Sequence, residues 1–277
     1  MDEREPDGWS SVDESADPSY YTACLEAVTD HEWLARAKRA SHMRLDPTEG
    51  DAILDVGCGV GADVVALAEL VGSTGRVVGV DNSRRMIERA AGRPDPSAGT
   101  AAFHVGDAHD LPYRADAFDS CRAERVFQHL ADPRAALAEL RRVTRPGGLV
   151  WVADPDWSTF GLDVPDDGLA ERVMDVGLAP ARNPRIGRRL RGLFVEAGLC
   201  DVELDADAMV WTDPDLVRES FRLEPRLERL RTESELSARR ADEWLDTLRR
   251  AGERDEFLAV GTAFTVVGTV PDGGTDG

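Results

Sequence analysis

The sequence predicts an α/β protein. We expect a doubly wound, mostly parallel seven-stranded sheet with a helical N-terminal segment and a helical insertion before the last strand. Three observations carry this. First, the apolar run Ile53-Leu54-Asp55-Val56 ends in the cluster Gly57-Cys58-Gly59-Val60-Gly61, and a helical pattern (Val64, Val65, Leu67, Leu70, Val71) follows at once. Second, short apolar runs alternate with helical stretches as far as Ala153, the repetition that builds a parallel sheet with right-handed crossovers. Third, residues 213–251 are rich in Glu, Arg and Leu and separate two late strand-like runs by more than an ordinary loop.

Composition narrows the class. With 277 residues, 42% of them hydrophobic, the chain can bury one large core. No apolar run approaches the length of a membrane span, and the acidic start Met1-Asp2-Glu3-Arg4-Glu5 lacks a secretory apolar stretch. The expectation is a cytoplasmic protein without a membrane span, monomeric or homodimeric. The net charge is -20, and Lys38 is the only lysine. Such a surface repels nucleic-acid phosphates. It fits adaptation to high salt, a GC-rich genome, or a plain solvated surface. Cys24, Cys58, Cys121 and Cys200 are too scattered for a disulfide framework or a thiolate zinc site. Cys58 and Cys121 read as small buried hydrophobes.

In chain order, residues 1–18 read as a mobile acidic tail. Tyr21, Leu25, Val28, Trp33, Leu34 and Ala37 recur at helical spacing between Tyr20 and about Arg44. Strand 1 covers Ile53–Val56, and strand 2 covers Arg76–Val80 and ends at Asp81. Ser83 is placed to cap a helix over 84–91. Strand 3 is Ala101–Val105 and strand 4 Ala117–Cys121, with helical patterning from Glu124 and from Pro133 to Val143. Arg145-Pro146-Gly147-Gly148 turns into strand 5, Leu149–Ala153. Asp154 to Pro184, with four prolines, reads as a loop with a short helix near 169–176, and Ile186–Ala197 as a helix. Strand 6 starts at Cys200 and can run to Trp211. Pro225 is expected to divide 213–251 into two helices, and 257–267 alternates as the last strand.

The glycine cluster is the chemical centre. Backbone must pass close to a ligand there, and the following helix N-terminus suits an anionic or polar group. Gly57-x-Gly59-x-x-Ala62 also fits a dinucleotide fingerprint. Asp81 stands 20 residues past Gly61, where a carboxylate accepts from ribose hydroxyls; the rival role is a helix cap, shared with Asn82 and Ser83.

Five stretches taken together resemble the class I S-adenosylmethionine-dependent methyltransferases, in particular their UbiE-like small-molecule branch. They are LDVGCGVG (54–61), VVGVD (77–81), GDAHDLPY (106–113), FDSCRAERVFQHLADP (118–133) and LRRVTRPGGLVWVADPD (140–156). The resemblance covers about 45–157 well and implies a Rossmann-like fold that binds S-adenosyl-L-methionine. By that resemblance, Gly57, Cys58, Gly59 and Gly61 admit the methionine moiety and Asp55 helps hold its amino group. Asp81 would hold the ribose hydroxyls, Asn82 and Met86 would flank the adenosine, and Asp107 with the Ala108 backbone would meet the adenine. Arg122 and Arg125 follow strand 4 at the methionine end, where an arginine either pairs with the methionine carboxylate or makes a surface ion pair. The adenine role of Asp107 outweighs a metal reading of His104, Asp107, His109 and Asp110.

The implied reaction is methyl transfer to a small, largely apolar or aromatic molecule such as a quinone precursor or polyketide. It rests on positioning and, for some acceptors, on a general base. The candidates are His129, which a structural role also explains, and Asp154; Gln128 would only orient, and Asp156 lies nearby. Trp157 and Phe160 are placed to wall an apolar pocket. The division expected is a tail at 1–18, one domain over 19–270 with its cofactor core at 45–157, and a flexible end at 271–277. A substrate cap is expected from 20–44, 155–184 and 213–251. Two other readings stand beside this one: a cofactor-binding module that no longer transfers methyl, and an NAD(P)-dependent oxidoreductase on the same glycine turn.

Overall fold

The computed structural model describes residues 8–15, 17–29, 38, 41–93, 100–175, 181–233 and 235–272. Its strands are β1 (Ala52–Val56), β2 (Arg76–Asp81), β3 (Ala101–Val105), β4 (Phe118–Glu124), β5 (Thr144–Leu162), β6 (Cys200–Trp211) and β7 (Ala259–Thr269). The helices are α1 (Pro18–Thr29), α2 (Ala62–Val71), α3 (Arg84–Ala91), α4 (Pro133–Val143), α5 (Asp167–Asp175), α6 (Leu190–Glu196), α7 (Pro214–Ser220), α8 (Leu223–Thr232) and α9 (Ala238–Glu253).

The strands form one sheet in the order β3-β2-β1-β4-β5-β7-β6. β1 to β5 are parallel, while β7 is antiparallel to both β5 and β6. The chain runs outward from β1 to β3 and returns to β4 on the other side of β1. This reversal opens a crevice beyond the carboxyl ends of β1 and β4, where open α/β sheets bind ligands.

Both faces of the central strands are covered, which is why they read as nearly unbroken apolar runs. Leu54, Val80, Cys121 and Val152 pack with Leu137 and Leu140 of α4 and Leu190 and Phe194 of α6. Ile53, Val77 and Trp151 face Val64, Leu67 and Val71 of α2. Each fully buried Leu or Val contributes about 1.5–3 kcal/mol relative to exposure.

Several elements depart from expectation. β5 does not stop at Ala153 but continues to Leu162, and Arg145–Gly148 falls within an irregular stretch at its start. β7 pairs with it over this extension. β4 ends opposite Ala153, so the other edge of β5 is open beyond that point, where Pro155 is tolerated. The 213–251 stretch forms three helices rather than two. Pro225 is the third residue of α8, where a missing N–H costs nothing. The break falls instead at Arg222, in left-handed conformation with φ 49°. Leu162, Val164, Leu169 and Val173 join Val217, Leu223, Leu227, Leu230, Trp244 and Leu248 in a second hydrophobic core.

The acidic N-terminus is not a free tail where it is described. Val12 is buried against Val60 and Met86, with Trp9, Tyr21 and Leu25 packed around them. Asp13 explains the docking: its carboxylate accepts from Ser83 Oγ at 2.5 Å and Arg84 N at 2.8 Å, at the positive end of α3. Residues 1–7 lie outside the described residues, as do most of 30–40, where Trp33, Leu34 and Ala37 fall, and the end of the chain at 273–277.

Candidate active site

The glycine loop is built by close approach. Gly57 N and Cys58 N both donate to Val80 O, at 2.7 and 3.1 Å, which draws the loop over the end of β2. Gly57 has φ 71°, and a Cβ there would lie 2.3 Å from Val126 Cγ2. Gly61 has φ 77°, with Phe103 Cε1 only 2.6 Å from such a Cβ. Larger residues at either position would combine left-handed strain with a clash. Cys58 is buried, and burial pushes its thiol well above the usual range.

Asp81 ties the loop to β2. Its Oδ2 accepts from Gly59 N and its Oδ1 from Ser83 N, both at 2.9 Å. Burial raises its pKa against these backbone donors. A carboxylate offers about four lone-pair sites, so Asp81 keeps acceptor capacity for a diol. Asp81 therefore organises the loop, while Ser83 caps α3 through Met86 N. Asn82 Nδ2 donates to Ser10 O at 2.9 Å, and Met86 is buried beneath Val12. Asp107 follows β3 with its side chain 65% exposed. Its Oδ1 accepts from His109 N at 2.9 Å; slight burial is outweighed by the His109 bonds, and its pKa is lowered. Ala108 packs on the main core.

Beneath the loop lies a buried ionic cluster. Asp55 and Arg122 are opposed in the β1–β4 register, and Arg122 Nη1 reaches Asp55 Oδ1 at 3.2 Å. The guanidinium also meets Asp63 at 3.5 Å and Glu124, and it stands 5.0 Å over the Trp151 ring. Asp63, in the first turn of α2, takes Lys38 Nζ at 2.5 Å and His42 Nε2 at 2.9 Å. Burial, opposed by Arg122, raises Asp55 to about 7. At Asp63 the same burial is outweighed by Arg122, Lys38 and His42, and its pKa falls well below the usual range. Arg122 has 0% exposure, so the surface ion pair, one of the two roles the sequence left open for it, is replaced by a buried one with Asp55, Asp63 and Glu124.

Sequence reasoning missed Lys38, His42, Asp63 and Glu124 as members of one cluster. An acid in the first turn of a helix passes for an ordinary dipole complement. The available signal was Lys38, the sole lysine of an acidic chain.

After β4 the expected helix is absent; residues 125–130 form a turn held from outside. Asp154 is 1% exposed, and its two oxygens accept from Phe127 N at 2.9 Å and Gln128 N at 3.3 Å. Asn183 Nδ2 donates to Phe127 O and Leu130 O at 3.1 and 2.8 Å. These tertiary bonds satisfy backbone groups that a helix would have paired. Burial, against those two donors, raises Asp154 to about 8. Arg125 begins the turn with φ 57°, its N–H on Ala153 O at 2.8 Å. His129 faces the N-terminal segment, its ring 6.3 Å from that of Trp9. Asp156 is fully buried and pairs with Arg188.

A family profile described as "Methyltransferase domain" matches residues 47–177. An uncharacterized methyltransferase of Schizosaccharomyces pombe is 30% identical over 211 residues, 72% of this chain and 75% of that one. The chain belongs to the S-adenosylmethionine-dependent methyltransferases. This methyltransferase chain is also 37% identical over 224 residues to an uncharacterized 37.1 kDa protein in transposon TN4556 of Streptomyces fradiae, covering 80% of this chain and 64% of that protein. A demethylmenaquinone methyltransferase of Staphylococcus aureus is 37% identical over 102 residues, 37% of this chain and 42% of that enzyme. Among solved structures, the YcgJ protein of Bacillus subtilis superposes with a TM-score of 0.61 at 16% identity, over 86% of this chain and all of that one, a likeness of fold.

S-adenosylmethionine is the cofactor of this family, and the residues present fit it. Gly57 and Gly61, both at positive φ and packed against Val126 and Phe103, fix a tight loop that no larger residue could form; Asp81 retains acceptor capacity, and Asp55 lies within the buried cluster beside the loop. The nicotinamide reading is set aside by the family. Among the described residues, no helix is long and apolar enough to cross a membrane.

Proposed function

We propose that this methyltransferase modifies a small, largely apolar or aromatic molecule, of the kind represented by a quinone precursor or a polyketide. The observation that carries the reading is a set of four aromatic side chains beyond the body of the sheet. Phe221 stands 5.5 Å from Trp157, 4.4 Å from Phe160 and 5.7 Å from Trp211, centroid to centroid. Trp157 Nε1 donates to Gln128 Oε1 at 2.6 Å, so this aromatic wall hangs from the turn that follows β4. Such a surface suits a ring system and excludes water.

When bound, S-adenosylmethionine supplies an electrophilic methyl group. The protein's part is to align the acceptor. In this reading, Trp157 and Phe221 orient the acceptor's apolar body. Asp81 and the glycine loop fix the cofactor side. Asp154 holds the 125–130 turn in place, a positioning role, since both its oxygens are taken by backbone N–H groups. His129, on that turn, is the group we assign to accept a proton from a hydroxyl or amine acceptor. α1 is joined to the helices that would cover the acceptor: Tyr20 donates to Glu219 O at 3.5 Å, and Arg222 stacks over its ring at 5.3 Å.

The test is incubation of the protein with methyl-labelled S-adenosylmethionine and an extract of apolar metabolites, followed by mass spectrometry. A labelled small molecule is expected, with transfer reduced about 10²–10⁴-fold in His129→Gln. Label found only in protein or nucleic acid overturns the reading.

A further inference from the structure

Arg226 lies on the buried face of α8 with Leu223, Leu227 and Leu230, inside the hydrophobic core of the helical cap. It is 8% exposed. Among the described residues its guanidinium meets only the carbonyl oxygen of Met174 at 3.4 Å and that residue's Sδ at 3.6 Å. Among the described residues no carboxylate pairs with it. The contrast with its surroundings is sharp. The chain has 53 acidic residues to 33 lysines and arginines, and Arg229 and Arg231 of the same helix, like Arg218, Arg240 and Arg249 of the neighbouring helices, all reach a carboxylate.

Two physical costs therefore meet at one residue. A cation is buried without a counter-charge. It also sits one turn from the N-terminus of α8, the positive end of the helix dipole, where a negative charge is preferred. That N-terminus carries no side-chain cap. Burial accordingly pushes the Arg226 guanidinium down to about 10. A bound anion would relieve both costs. Met174, which Arg226 touches, belongs to the same apolar cluster as Phe221, with Trp157 and Phe160 packed against it, so an anionic group at Arg226 would belong to a molecule whose body rests on that aromatic wall.

Resting on the function proposed above, we propose that Arg226 binds a carboxylate of the acceptor, and that the acceptor is an apolar acid. The bidentate geometry of guanidinium and carboxylate makes this a specificity contact. Arg226 takes no part in the transfer itself.

The experiment measures binding by calorimetry to the full chain with S-adenosylhomocysteine present. The probes are ω-phenylalkanoates from phenylacetate to phenyloctanoate and their matching amides. The wild-type chain is expected to bind at least one acid about tenfold more tightly than its amide. Arg226→Met should erase that preference while leaving amide affinity unchanged, and Arg226→Lys should keep part of it. The Met variant should fold, since an apolar side chain of similar length replaces an unpaired buried charge; its melting temperature checks this. If no acid in the series is preferred over its amide, or if the preference survives in Arg226→Met, the inference fails. Neither readout needs methyl transfer. Labelling of neutral acceptors without any carboxylate preference overturns this inference alone, whereas carboxylate binding through Arg226 without transfer overturns only the proposed reaction.

Discussion

Asp55 and Arg122 face each other across β1 and β4, their side chains 3.2 Å apart and both closed to solvent. The pair sits directly below the glycine loop, so the loop rests on an ionic floor. Asp63 and Glu124 complete that floor around the same guanidinium. Removing the cation would leave three carboxylates facing one another. Arg122→Met is therefore expected to lower stability by about 3–5 kcal/mol, read from urea denaturation. Adding Asp55→Asn should recover part of the loss, because the two residues are coupled. An unchanged midpoint in the single variant would show that the cluster is not held by Arg122.

Stability should fall as pH rises from about 4 to 8. Burial keeps a proton on Asp55 up to about 7 and on Asp154 up to about 8, whereas an aspartate in the unfolded chain loses its proton at about 3.9. Between those limits the folded state binds more protons than the unfolded state, so raising the pH favours unfolding. Asp154→Asn keeps one acceptor for the 125–130 turn and removes one titration. Its denaturation midpoint should vary less between pH 5 and 8.5, by about 1–3 kcal/mol in free energy. Equal slopes in the two proteins would contradict a buried, protonated Asp154.

Asp81→Ala removes the acceptor for Gly59 N and the proposed acceptor for the ribose hydroxyls. Titration calorimetry should show affinity for S-adenosylmethionine reduced about 10–100-fold. Asp81→Asn, which keeps one oxygen, should fall between the two. Wild-type affinity in a folded alanine variant would reject the ribose assignment.

The N-terminal segment should act as a clasp. Asp13→Ala removes a carboxylate that bonds Ser83 Oγ and the N-terminus of α3, a loss worth about 1 kcal/mol. Limited proteolysis within residues 8–16 should then speed up. Added S-adenosylhomocysteine should slow it in the wild-type chain, because Trp9, Val12 and Leu25 pack around Val60 and Met86 beside the cofactor cradle. Cleavage rates indifferent to both changes would separate this segment from the site.

With a net charge of -20, repulsion among surface carboxylates weakens as salt screens it. If the charge is a high-salt adaptation, the melting temperature should rise from low to molar potassium chloride. A flat or falling curve leaves genome composition and solubility as its explanation.

The strand-turn-helix at 53–71 was legible because its causes are local. Apolar residues buried on two faces, a turn that only glycine can make and a helix at 3.6-residue spacing each leave their mark within a few positions. Asp81 was legible for the same reason, since it ends the next strand at a set distance along the chain. The ionic floor was not. Asp55 and Arg122 stood out only through the resemblance and Asp63 not at all, and only the placement of β4 beside β1 sets Arg122 opposite Asp55. Composition misread residues 8–15, because a polar segment has little apolar surface to bury; Asp13 docks by charge, on a helix end that folding alone creates. The extension of β5 to Leu162 depends on pairing with β7, some hundred residues away. The turn at 125–130 was read as helix because its residues have helical spacing. Asp154 and Asn183 satisfy its backbone instead, and their arrival at that point is a property of the tertiary structure.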